Sequence, residues 1–263
     1  YNVPCTIQIQ GPLDLSLRQT SLQNLVIRHS ILRAVILPPT LTADEPTQKY
    51  LPLEKFSIPF THQSKRLSPE ALQKEIEATH LIPFPISDPT RPLFRVTLLT
   101  TSTHEFILCI TFHHLILDGW SLQLLQQDLI HEYNALMTNN PTPSSVNLPR
   151  FQYHNFIEYE QSITNLADLP THPDYQFWSK TFQSFHPVKF PFKSTKPFLR
   201  DPLAVGTTEI TLPSSLIQSF TKLCDAQEST LYMGLLTAFY ILLYRYTSQQ
   251  QISVASVISN RSV

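Results

Sequence analysis

Phe112-His113-His114-Leu115-Ile116-Leu117-Asp118-Gly119-Trp120-Ser121 decides how this chain is read. The run before it, Glu105–Phe112, is apolar and reads as a strand. The run after it, Ser121–Met137, sets Leu122, Leu125, Leu129 and Tyr133 on one face and reads as a helix. Side chains alternate along a strand. A strand that persists to His114 puts that residue on the face of Phe112, Ile110 and Leu108, and His113 on the face of Thr111 and Cys109. Two imidazoles pointing apart do not chelate one metal, and only one of them serves a given site. A histidine there suits a general base, because its ordinary pKa of about 6.5 leaves it largely neutral near pH 7. Asp118 either orients the histidine, as in hydrolase triads, or pairs with an arginine and holds the turn. The second reading is preferred, because a helix starts right after Asp118 and offers capping and dipole partners to a carboxylate. A lone H-x-x-x-D is common by chance, whereas the full H-H-x-x-x-D-G string at a strand-to-helix turn is far rarer. The sequence has no G-x-S-x-G, P-loop, G-x-G-x-x-G or H-E-x-x-H.

Outward from this turn, Leu93–Leu99 reads as a second strand, joined to Glu105–Phe112 by a hairpin at Ser102-Thr103. Residues 3–10 alternate apolar and polar and read as a strand. Asp14 caps a helix over 15–29, and Ile31–Leu37 reads as a further strand. Residues 38–66 are rich in Pro and Thr and read as a loop with short extended pieces. Ser68 and Pro69 open a helix to about His80. After the polar linker 138–150, helices near 151–163 and 174–185 carry Phe156, Tyr159, Phe177 and Trp178 as packing residues. The proline-rich stretch 186–206 reads as a linker between subdomains 1–185 and 207–263. The second holds a strand at Thr207–Leu212, helices at Pro213–Ala226 and Thr230–Thr247, and a strand at Ile252–Ile258. Thr230–Thr247 is apolar on nearly every side, which predicts burial.

Composition narrows the function classes. With 42% hydrophobic and 15% charged residues, the 263-residue chain can bury a substantial core. A net charge of −1 argues against nucleic-acid binding. No apolar run reaches the ~20 residues that cross a bilayer, and the first residues lack the order of a signal peptide. The default location is cytoplasmic. Cys5, Cys109 and Cys224 are odd in number and far apart, which fits reduced thiols, with Cys109 as core. Glycine is scarce, four residues against 22 prolines, which singles out Gly119 after Asp118.

HHLILDGWS resembles the H-H-x-x-x-D-G core motif of the condensation domains of nonribosomal peptide synthetases, which belong with chloramphenicol acetyltransferase-like acyltransferases. Other segments resemble that family in order. Arg28-His29-Ser30-Ile31-Leu32-Arg33 is similar to its R-H-E-x-L-R motif, with Ser30 for glutamate. Pro83-Phe84 through Arg91-Pro92-Leu93-Phe94-Arg95 is similar to its P-F-D-L…P-L-x-R stretch. Tyr153-His154-Asn155-Phe156 is similar to Y-x-D-F/Y, with Asn155 for aspartate, and Leu231–Tyr246 to the long helix of the second subdomain.

The resemblance implies an α+β fold, a two-layer sandwich, with the start of a second similar subdomain. It implies amide-bond formation between a carrier-bound acyl donor and a carrier-bound aminoacyl acceptor, in a tunnel between subdomains. His114 is then the catalytic residue and His113 a supporting one. Asp118 is the structural carboxylate, paired with Arg33 or Arg28, and Arg33 is preferred. Gly119 lets the turn come close to substrate, and Trp120 and Ser121 line the tunnel. The implied partners are upstream and downstream peptidyl carrier domains and a neighbouring adenylation domain. The carriers supply 4'-phosphopantetheine, and the domain itself holds no cofactor or metal. The family's domain begins before Tyr1 and runs past Val263, so little activity is expected of these residues alone. The alternatives are another H-H-x-x-x-D-G acyltransferase acting on free small molecules, and a degenerate module that only binds carriers.

Overall fold

The computed structural model describes residues 1–39, 45–138, 148–163, 166–191 and 208–258. The chain divides into two compact units at Asn165/Leu166, upstream of the 186–206 stretch where composition places the boundary. Most of that stretch (192–206) and of the 138–150 linker (139–147) lies outside the described residues.

The first unit is built on a four-stranded sheet of β1 (Asn2–Gln10), β4 (Phe60–Ser64), β5 (Phe94–Ser102) and β6 (Glu105–His113), in the order β1-β6-β5-β4. The pairs β1/β6 and β6/β5 are antiparallel, and β4/β5 is parallel. A small antiparallel pair, β2 (Ala34–Leu37) with β3 (Thr47–Tyr50), stands apart. Helices α1 (Leu15–Arg28), α2 (Pro69–Leu81), α3 (Gly119–Met137) and α4 (Tyr153–Ile163) complete the unit.

Local signals account for most boundaries. Asp14 Oδ1 accepts from the N–H groups of Ser16 and Leu17, and Ser68 Oγ from that of Ala71, with Pro69 in the first turn of α2. β6 is buried from Phe106 to His113 because both its faces are covered. Leu108, Ile110 and Phe112 enter the main core with Leu22, Leu25 and Leu129 of α1 and α3. Ile107 and Cys109 face Leu72 and Ile76 of α2. The α+β reading holds, and α2 adds cover on the second face. β3 and β4 lie inside the region read as a loop. They are short and half-polar, and what makes them strands is a partner distant in sequence. Ser30–Arg33 is a single 3-10 turn, so the extended run starts only at Ala34.

The second unit contains α5 (Pro173–Thr181), α6 (Ser214–Ala226) and α7 (Leu231–Thr247). The aromatic rings of Phe177, Trp178, Phe182 and Phe185 contact one another in series. Gly234 lets α7 meet α6: a Cβ there would overlap Cys224 Sγ and touch the Phe220 ring at 3.1 Å. The strands expected at 207–212 and 252–258 do not form in the described residues 208–212 and 251–258. Strands need a ladder partner, and the described residues supply none there. Expected burial of 230–247 is also corrected. Leu243 is buried, whereas Tyr232, Met233, Phe239, Ile241 and Tyr246 are exposed. Among the described residues no helix is long and apolar enough to cross a membrane.

Candidate active site

The strand does not persist to His114. β6 ends at His113, and residues 114–116 form a turn. One further ladder bond ties the turn down: the His114 N–H donates to the Tyr1 carbonyl at 2.9 Å. Ile116 and Leu117 are buried and anchor the loop in the core, while His114 and Leu115 face out.

The two histidines therefore live in different surroundings. His113 is 8% exposed. Its Nδ1 accepts from the Leu115 N–H at 3.1 Å, which places the proton of the neutral ring on Nε2. The Phe84 ring meets it edge-on at 6.0 Å. Burial holds the His113 pKa below its ordinary value, and the neighbouring charge of His114 acts the same way. His113 is a neutral, built-in part of the turn. His114 keeps an exposed side chain, and Leu115 and Trp120 of the same segment are exposed too.

Asp118 is the N-cap of α3: its Oδ1 accepts from the Ser121 N–H at 2.8 Å, and its carbonyl from the Leu122 N–H. The preferred pair with Arg33 does not form. The 3-10 turn breaks the extended run that was to carry Arg33 into the sheet. Its Nη1 donates to the Leu51 carbonyl at 2.6 Å, while the Leu51 N–H donates to the Arg33 carbonyl. Arg28 Nε lies 3.1 Å from Asp128 Oδ2, which His29 Nε2 also reaches at 2.6 Å. Asp128 thus ties the end of α1 to the middle of α3. Among the described residues, and apart from its own chain neighbours and helix backbone, the Cβ position at Gly119 meets no atom within 4 Å, so no contact described there demands glycine.

The motifs converge more than their spacing suggests. Arg95 lies over the Phe84 ring at 4.2 Å, and Phe84 in turn backs His113. Gln152, just before Tyr153, donates to the Arg28 carbonyl and accepts from the Ser30 N–H and hydroxyl. Asn155 Oδ1 accepts from the Gln152 N–H. Sequence reading passed over Asp128, and also His80, whose ring nitrogens lie 2.8 Å from the Thr111 hydroxyl and 2.9 Å from that of Thr6. Neither has a local signal. Cys109 is buried, with its pKa pushed up to about 11 by burial, which suits a packing thiol. Among the described residues no three His, Cys, Asp or Glu side chains are placed to hold a metal ion.

Known proteins resemble this chain along its whole length. The sequence profile described as Condensation domain matches residues 1–263. Chondramide synthase cmdD of Chondromyces crocatus is 28% identical over 99% of the chain, which spans 6% of that protein. Tyrocidine synthase 3 of Brevibacillus parabrevis is 27% identical over 100% of the chain, which spans 4% of it. The first condensation domain of the CDA synthetase superposes with a TM-score of 0.67 at 17% identity, over 96% of this chain and 58% of that one, a likeness of fold.

Proposed function

The chain belongs to the condensation domain family, and on that premise we propose that it takes part in joining a carrier-bound acyl thioester to the amine of a carrier-bound aminoacyl thioester. The amide C–N bond forms as the thioester C–S bond breaks. The donor's arm leaves as a thiol, and the amine's proton is released. His114 is the catalytic residue of this reading. The observation that carries it is the division of labour in the turn. His113 is buried with Nδ1 already engaged, whereas His114 is exposed at the end of a strand and start of a helix, the place where a substrate amine can reach it.

The chemistry asks moderate help of His114. An α-amine titrates at about 7.7–8.0, so a useful fraction is neutral near pH 7. A general base contributes about 10²–10⁴-fold, and holding the two ends in line can supply about 7–11 kcal/mol. Asp118 sets the start of α3 through its cap, and the open space at Gly119 leaves room for substrate to approach. Trp120 is exposed beside it and offers an apolar tunnel wall. The partners are upstream and downstream carrier domains, whose phosphopantetheine arms deliver both thioesters, with an adenylation domain nearby in a cytoplasmic assembly. Residues 1–263 alone support little turnover. The exposed apolar surface of α7 favours this.

The test is amide formation from loaded donor and acceptor carriers, in the protein that contains this chain. His114→Ala is expected to lower the rate at least ~100-fold with folding intact. An unchanged rate in folded His114→Ala removes that residue from the mechanism. Equal turnover of free small-molecule substrates without carriers would favour the free-standing acyltransferase instead.

A further inference from the structure

Away from the histidine turn, a cavity of about 420 Å³ opens between α1 and residues 53–60. Leu22, Val26, Leu53 and Phe56 give it apolar walls. Arg18 of α1 also lines it and is only 7% exposed. Its Nε and Nη1 are buried without a hydrogen-bond partner, and it forms no ion pair among the described residues. The Phe60 ring lies 4.2 Å from the guanidinium carbon. Among the described residues no carboxylate lines the cavity; its other polar side chains are Gln19, Gln23 and Ser57.

A buried cation without a counter-charge is unfavourable, and arginine is rarely buried unless paired. The cavity is of a size that holds small molecules, typically about 300–1,000 Å³. We propose that it binds a small monocarboxylate with an apolar body, the carboxylate on Arg18 and the body against Leu22, Val26, Leu53 and Phe56. A single lining cation suits one negative charge better than a phosphate dianion, and the neighbouring amides and hydroxyl complete the carboxylate's hydrogen bonds. None of the residues of the 112–121 turn lines this cavity, so the inference stands apart from the amide-forming reading.

Calorimetric titration of the whole chain tests it, with octanoate, its neutral amide octanamide, and inorganic phosphate as probes. Octanoate is expected to saturate a single site and to bind at least ~10-fold more tightly than octanamide, because its bond to the guanidinium is charge-assisted. Arg18→Gln is expected to erase that preference. Ser57→Trp, at an exposed residue of the lining, is expected to weaken both ligands by filling the cavity. Equal affinity for octanoate and octanamide overturns the proposal, as does undiminished octanoate binding in either variant or phosphate binding as tightly as octanoate. If Arg18→Gln does not fold, the octanoate–octanamide comparison and Ser57→Trp still decide.

Discussion

Acid should weaken this fold before its carboxylates protonate, and His113 is the place to look. Its folded pKa lies below the ordinary 6.5, first because burial penalises the charged ring. The unfolded chain therefore takes up the proton at a higher pH than the folded one. The stability is fully present above about pH 6.5 and is lost as pH falls through that value toward the folded pKa. The limiting slope for one proton is about 1.4 kcal/mol per pH unit. His80 adds to it with the same sign, since burial and then Arg95 lower its pKa. The sharpest perturbation is His113→Asn, which keeps an acceptor for the Leu115 N–H and removes the titration. At neutral pH it should cost about 0.5–1.5 kcal/mol, the worth of the lost edge contact with Phe84. His113→Ala, which also removes the acceptor of the half-buried Leu115 N–H, should cost a further ~0.5–1.5 kcal/mol. Urea unfolding from about pH 7.5 to about pH 5 reads both effects, as the variants' stability loss and the change in pH slope. A slope in His113→Asn equal to that of the wild type would refute the reasoning. So would a wild-type stability that rises on acidification through this window.

Three further outcomes follow from particular contacts. His114→Ala, which removes an exposed ring but no backbone bond, should shift stability by no more than about 0.5 kcal/mol, so its effect on rate can be read free of folding. Asp118→Ala should cost about 0.5–2 kcal/mol in chemical denaturation through its lost cap, with Asp118→Asn largely restoring it; equal losses in both would point to the charge. Gly234→Ala should cost about 1–3 kcal/mol by forcing α6 and α7 apart at Cys224, seen as a lower thermal midpoint; an unchanged midpoint would mean that contact yields freely.

Much of the chain could be read from neighbours along the sequence, because the physics there is local. Alternation and helical spacing, the caps at Asp14, Ser68 and Asp118, and the turn between β5 and β6 all act within a few residues, and the H-H-x-x-x-D-G string marks the turn that presents His114. Other features depend on groups far apart along the chain. β3 and β4 are strands because β2 and β5 supply their ladders, while 208–212 and 251–258, just as apolar, have no such partner among the described residues. His113 is held neutral by its burial beside Phe84, 29 residues earlier in the numbering. Arg33 turns to Leu51, not to Asp118, because a 3-10 turn interrupts the extended run. Asp128 joins Arg28 and His29 across a hundred residues, and the cavity beside Arg18 exists only where α1 meets residues 53–60. Periodicity and capping tell a residue which element it joins; which partner it meets, and whether water reaches it, depends on how those elements pack.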